Sequence, residues 1–209
     1  MTRLIGLVAA LVVPAAALAQ DWAKARLDKS PRHLEYVKVE HDRRAVNCLV
    51  AYPEVKEKAP AVVVIHEIFG LADWPKLLAD ELAEAGYIAI APDLLSGAGT
   101  GGGGTESLQG RDGVIRAIRD LPSQQVMADL DAVVGYVAKL PACNGKVAVC
   151  GFCWGGGQAF SYATHNKEIK AAFVFYGTGP TDEAAIRRIG APVYGFYGGN
   201  DARVGATVP

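Results

Sequence analysis

Cys153 lies in the frame Gly151-Phe152-Cys153-Trp154-Gly155, where the apolar run "KVAVC" stops at a glycine and Gly155-Gly156-Gly157 lead into a helical pattern. A thiol at such a corner can serve as a nucleophile. The bend forces its residue into an unfavourable backbone conformation, and flanking residues without a Cβ let strand and helix approach. The N-terminus of the following helix directs partial positive charge at the sulfur, which favours thiolate, the attacking form. G-x-C-x-G is thus the thiol counterpart of the G-x-S-x-G turn. The same residues also fit a glycine-rich turn holding an inert, buried cysteine, a non-catalytic binding protein that kept a pocket, or, through "CGFC", a thiol-redox pair of Cys150 and Cys153.

Carboxylates stand at two other strand ends. Glu67 follows "APAVVVIH", and Asp201 closes "YGGND". Taken alone, Glu67 is a loop carboxylate or a cap on the next helix, and Asp201 a turn residue. Of the four histidines, His66 adjoins Glu67 and is expected as a hydrogen-bonded loop residue, with a lesser claim to act as a base. His165 is expected to meet the last carbonyls of its helix. Arg111, Arg116 and Arg119 follow a glycine-rich stretch and are either exposed helical residues or a clamp for an anionic substrate. "CGFC" occurs once, without a Cys or His partner at zinc spacing, so neither metal nor cofactor is expected.

The elements that must position these groups alternate. "LEYVKVE" and "AVNCLVAY" read as strands joined at "HDRR"; "APAVVVIHE" and "YIAIAPDLL" read as buried strands. Between the last two, Asp73 offers an N-cap, Pro75 a first turn, and Gly86 a stop. Residues 21–32 form a charged lead with poor periodicity. "SGAGTGGGGT", Ser96 to Thr105, is expected as a flexible surface loop. From Pro122 to Leu140, apolar residues recur at helical spacing. Strand "KVAVC", a helix from Trp154, strand "AAFVFYG", a short helix over 182–189 and strand "PVYGFYGG" complete the order. Strand–helix alternation implies an α/β fold with a mainly parallel sheet and helices on both faces.

The chain has 209 residues, 51% apolar and 21% charged, with a formal net charge of -1. That suits one domain with a substantial core, and without a basic cluster nucleic acid is not an expected partner. "MTRLIGLVAALVVPAAALA" has one early basic residue, a short apolar middle and a small-residue end, the layout of an export signal cut before Gln20. The expectation is therefore a signal over 1–19, a single domain over 20–209, a periplasmic or secreted location, and no stable membrane association after cleavage. In an oxidising compartment, Cys48, Cys143, Cys150 and Cys153 allow three complete disulfide pairings, which spacing does not choose among.

"HEIFGL", "GYIAIAPDL", "GFCWGG" and "YGGND" occur together and in this order. In these four stretches the sequence resembles the dienelactone hydrolase (carboxymethylenebutenolidase) family, a branch of the α/β-hydrolase fold with a cysteine nucleophile. The resemblance runs from about Leu34 to the end. It implies hydrolysis of a cyclic enol-lactone or similar activated ester, a small-molecule partner, through an acyl-enzyme on Cys153. It also implies that Glu67 contacts the resting thiol, Asp201 is the triad acid, and the amides of Ile68 and Trp154 form an oxyanion hole. The family's base is a histidine farther from the acid than Pro209. The expectation is thus a domain lacking its last strand and helix, with weak or absent turnover.

Overall fold

The computed structural model describes the backbone of residues 15–208 and the side chains of residues 21–208. The expected export signal lies outside the described residues, apart from the backbone at its end. Helix α1 (Ala15–Leu27) leads to a hairpin of β1 (Leu34–His41) and β2 (Arg44–Ala51). Asp42 and Arg43, at φ 42° and 65°, make its turn, the pairing of positive φ values that tight hairpins use. Then come β3 (Ala59–Ile65), α2 (Asp73–Glu84), β4 (Ile88–Pro92), α3 (Gly110–Asp120) and α4 (Ser123–Ala138). The order closes with β5 (Cys143–Phe152), α5 (Trp154–His165), β6 (Ala172–Phe175), α6 (Glu183–Ile186), β7 (Val193–Phe196) and α7 (Ala202–Gly205).

The strands form one sheet in the order β1-β2-β4-β3-β5-β6-β7. The pairs β1–β2 and β2–β4 are antiparallel, whereas β4, β3, β5, β6 and β7 run parallel. From β3 the chain passes through α2 to β4 on one side, then returns through α3 and α4 to β5 on the other. This reversal opens a crevice beyond the carboxyl ends of β3 and β5, where open α/β sheets bind ligands.

The continuous apolar run of β3 is explained by burial on both faces. Ala61, Val63 and Ile65 join Val126, Leu130 and Val133 of α4 and Phe160 of α5 in one core layer. Val62 and Val64 join Ala79 and Ala83 of α2 in the other. At the far edge, Tyr194 and Phe196 of β7 stand exposed.

Three local expectations are corrected. The lead over 21–32 is largely helical, because α1 reaches Leu27 and packs on α2. Asp73 is the first residue of α2; the N-cap is Ala72, which makes no side-chain cap bond. The stretch from Ser96 to Thr105 is built rather than free: it contains a tight turn at Thr100–Gly102 and leads into another at Thr105–Ser107. A Cβ on Gly99 or Gly103 would strike the Ser107 side chain, and one on Gly104 would strike Asp93. Composition signalled mobility, whereas Gly99, Gly103 and Gly104 serve close approach.

All four cysteines are free thiols. Cys150 faces the α2 layer, while Cys48 and Cys143 face the α4 layer. Cys48 and Cys143 are separated by three strand spacings, about 14 Å, against a disulfide Cα limit of about 7 Å.

Candidate active site

The corner after β5 has the predicted strain. Cys153 lies at φ 55°, ψ -116°, a region that non-glycine residues enter at a cost of about 1–3 kcal/mol. Backbone bonds fix it there: its N–H donates to the Phe175 carbonyl (3.0 Å), and its own carbonyl accepts from Gly157 N–H (3.2 Å). A Cβ on Gly151 would overlap the Gly155 carbonyl, and one on Gly155 would overlap the carbonyls of Ile65 and His66. The two glycines of the frame therefore clamp β5, α5 and the end of β3 together. Cys153 remains partly exposed at the mouth.

The turn after β3 faces this corner. His66 is fully buried and both its ring nitrogens are engaged. A carbonyl can only accept and an amide can only donate. Nδ1 thus donates to the Glu67 carbonyl (2.9 Å), and Nε2 accepts from Leu94 N–H (3.2 Å). Burial drives the His66 pKa down. The ring is a neutral structural tie, which removes it as a base. Trp154 lies over it in a stacked arrangement.

Glu67 is half-buried, and burial holds its carboxyl above the usual carboxylate range, with Arg111 pulling the other way. It is no helix cap, since α2 begins only at Asp73. The Tyr176 hydroxyl is raised by burial, then by Glu67 and Cys153. Glu67 and Cys153 therefore both lie within electrostatic reach of the Tyr176 hydroxyl. Tyr176 itself has φ 42°, so adjacent strands β5 and β6 are each followed by a residue with positive φ.

Ile68 lies in the turn after β3, and Trp154 is the first residue of α5. The Trp154 N–H therefore has no carbonyl one turn earlier. Among the described residues, neither the Ile68 nor the Trp154 amide has a hydrogen-bond acceptor. Of the three arginines, the structure brings Arg111 to the site: its guanidinium lies 3.9 Å from the centre of the Phe69 ring. Sequence reasoning left this choice open and missed Tyr176, whose signal was its place after an apolar strand, opposite the corner.

Asp201 lies beyond β7 and caps α7, accepting from Val204 N–H at 3.0 Å. No histidine is placed beside it: His33 packs on Tyr52, His41 bonds Asp129, and His165 bonds Asp131 at 2.7 Å. The last is a correction, because His165 ties α5 to α4 rather than meeting its own helix's carbonyls.

A mostly parallel sheet clothed by helices on both faces, with a strained corner residue at the strand-order reversal, defines the α/β-hydrolase fold. Within it, residues 46–208 match the model of the Dienelactone hydrolase family, and the chain belongs to that family. A Yersinia pestis protein provisionally named carboxymethylenebutenolidase is 34% identical over 70% of this chain and 57% of its own length. A similarly named Escherichia coli K12 protein is 35% identical over 68% and 55%. The chain thus spans little more than half the length of these curated relatives. Carboxymethylenebutenolidase of Pseudomonas putida is 28% identical over 77% of this chain and 68% of its own. The crystal structure of a provisionally assigned dienelactone hydrolase from Klebsiella pneumoniae superposes with a TM-score of 0.70 at 28% identity, covering 85% of this chain and 75% of that one.

Proposed function

We propose that this chain carries the nucleophilic centre of a hydrolase for cyclic enol-lactones or similarly activated esters. The observation behind the reading is the strained, partly exposed Cys153 at the sheet's reversal point, with the acceptor-free amides of Trp154 beside it and of Ile68 in the turn after β3. In this reading the Cys153 thiolate adds to the ester carbonyl carbon, and the carbonyl oxygen takes the negative charge opposite the two amides. Collapse breaks the ring C–O bond, expels an enolate and leaves a thioester on Cys153. Water then attacks the thioester carbon and releases the acid and the free thiol. An enolate leaves more readily than an ordinary alkoxide, which suits a sulfur nucleophile that is itself a good leaving group.

Glu67 is assigned as the resting partner of the thiol and Arg111 as the cation that receives an anionic substrate group. Asp201 is assigned as the acid that orients a catalytic imidazole. Among the described residues no histidine lies beside Asp201, so in this reading acylation outpaces release of product from the thioester. The redox reading is disfavoured because burial pushes the Cys150 thiol up to about 12, whereas exchange needs an accessible thiolate.

Mixing the chain with p-nitrophenyl acetate tests the reading. One equivalent of nitrophenolate per chain, with an acetyl group on the peptide containing Cys153, supports it, and Cys153→Ala abolishes both. An equal burst from Cys153→Ala overturns it.

A further inference from the structure

The turn that carries Glu67 and Ile68 is held at both ends by the segment following β4. At its start, His66 accepts from Leu94 N–H. At its end, Leu71 N–H donates to the Thr105 hydroxyl at 3.0 Å. That hydroxyl donates in turn to Asp93 Oδ1 at 2.7 Å, and Thr105 N–H donates to Asp93 Oδ2 at 2.7 Å. Asp93 is buried, and its Oδ1 also accepts from Leu95 N–H at 3.1 Å. The Thr105 side chain occupies the space a Cβ of Gly70 would need, and Gly70 has φ +70°. Gly70 N–H closes the turn on the Glu67 carbonyl at 3.1 Å. Glu106, next along, ties the same strap to Lys76 of α2 at 2.8 Å.

We propose that Thr105, seated on Asp93, is a positioning residue that holds the Glu67–Leu71 turn so that the Ile68 amide faces the carbonyl oxygen attacked by Cys153. The proposal rests on the hydrolase reading above. It also accounts for the glycine-rich strap, since Gly104 lets Thr105 reach Asp93. The hydroxyl both accepts from the turn and donates to the buried carboxylate. Valine has nearly the same shape and can do neither.

Two reactions of Cys153 separate this role from simple structural support. Acylation by p-nitrophenyl acetate builds charge on a carbonyl oxygen and uses the Ile68 amide. Alkylation by iodoacetamide displaces iodide at a saturated carbon and does not. Thr105→Val is expected to slow acylation roughly 10- to 100-fold, short of or equal to full loss of an oxyanion donor, while alkylation is unchanged. Thr105→Ser, which keeps the hydroxyl, retains parental acylation. If Thr105→Val does not fold, Thr105→Ala takes its place. Parental acylation in the hydroxyl-less variant overturns the proposal, as does an equal loss of both reactions. A parent whose Cys153 alkylates but never acylates overturns the hydrolase reading, and this role with it.

Discussion

The indole of Trp154 lies over the imidazole of His66 with ring centroids 5.6 Å apart and planes inclined by 17°. The residue after Cys153 is thereby seated on the residue before Glu67. The contact continues in the backbone, where Gly155 leaves no room for a Cβ beside the His66 carbonyl. The corner after β5 and the turn after β3 therefore pack directly on each other, and this contact links the two segments whose amides are assigned to the oxyanion hole. His66 is the hub of that arrangement, and its neutrality is a condition of it.

His66→Ala is expected to lower stability by about 3 kcal/mol, through a cavity and an unpaired Leu94 amide. The pH dependence is more diagnostic. The His66 pKa is lower in the folded chain than the unfolded value of about 6.5. Its neutral form thus contributes stability that is present above pH 6.5, and the contribution falls away as pH drops toward the folded pKa. The slope in that window reaches up to about 1.4 kcal/mol per pH unit. Urea unfolding between pH 5 and 8 should show this slope in the parent minus the variant. A parallel pair of curves would refute the assignment of His66 as a buried neutral tie.

Much of this was legible in the sequence for physical reasons. Apolar runs of strand length such as "APAVVVI" announce a doubly covered strand, and the glycines around Cys153 announce a corner with no room for side chains. The strap from Ser96 to Thr105 was not legible, because glycines chosen for close approach have the same composition as glycines chosen for mobility. Its meaning comes from Asp93 and Ser107, which fill the space beside Gly104 and Gly103. Arg111 was indistinguishable from Arg116 and Arg119 by type. Only the packing of α3, which buries Val114 and Ile118, sends Arg111 toward Phe69. The role of His66 was half visible: its position marked a loop tie, but its partner Leu94 lies across the crevice.

Glu67 carries the opposite sign of linkage. Its carboxyl is raised in the folded chain by burial, against the pull of Arg111. The protonated form is the one the fold favours, so Glu67 supports stability fully below about pH 4.3, its unfolded value. That support is lost as pH rises through the folded pKa. At pH 7 the charged carboxylate is a burden, and Glu67→Gln should raise the melting temperature by roughly 1–3 °C, a modest figure because the side chain is only partly buried. The gain should shrink to nothing near pH 4. Differential scanning calorimetry across that range checks it, and a Glu67→Gln variant less stable at pH 7 would contradict the burial argument.

In the proposed function, Arg111 gives the site a preference for anionic substrates. Its guanidinium is stacked on Phe69, the residue after Ile68, so a carboxylate bound to it would lie beside the carbonyl assigned to attack by Cys153. A charge-assisted bond of this kind contributes about 1.5–3 kcal/mol, equivalent to roughly a 10- to 100-fold change in rate. Arg111→Ala should therefore slow Cys153 acylation by an activated ester bearing a carboxylate by about that factor, while a neutral ester of matched size changes less than about threefold. Stopped-flow release of nitrophenolate from the two esters measures the ratio directly. An equal effect on both would reassign Arg111 to support of the Phe69 turn. With selectivity lost and the neutral rate kept, the arginine is the contact by which the site distinguishes anionic lactones from neutral esters.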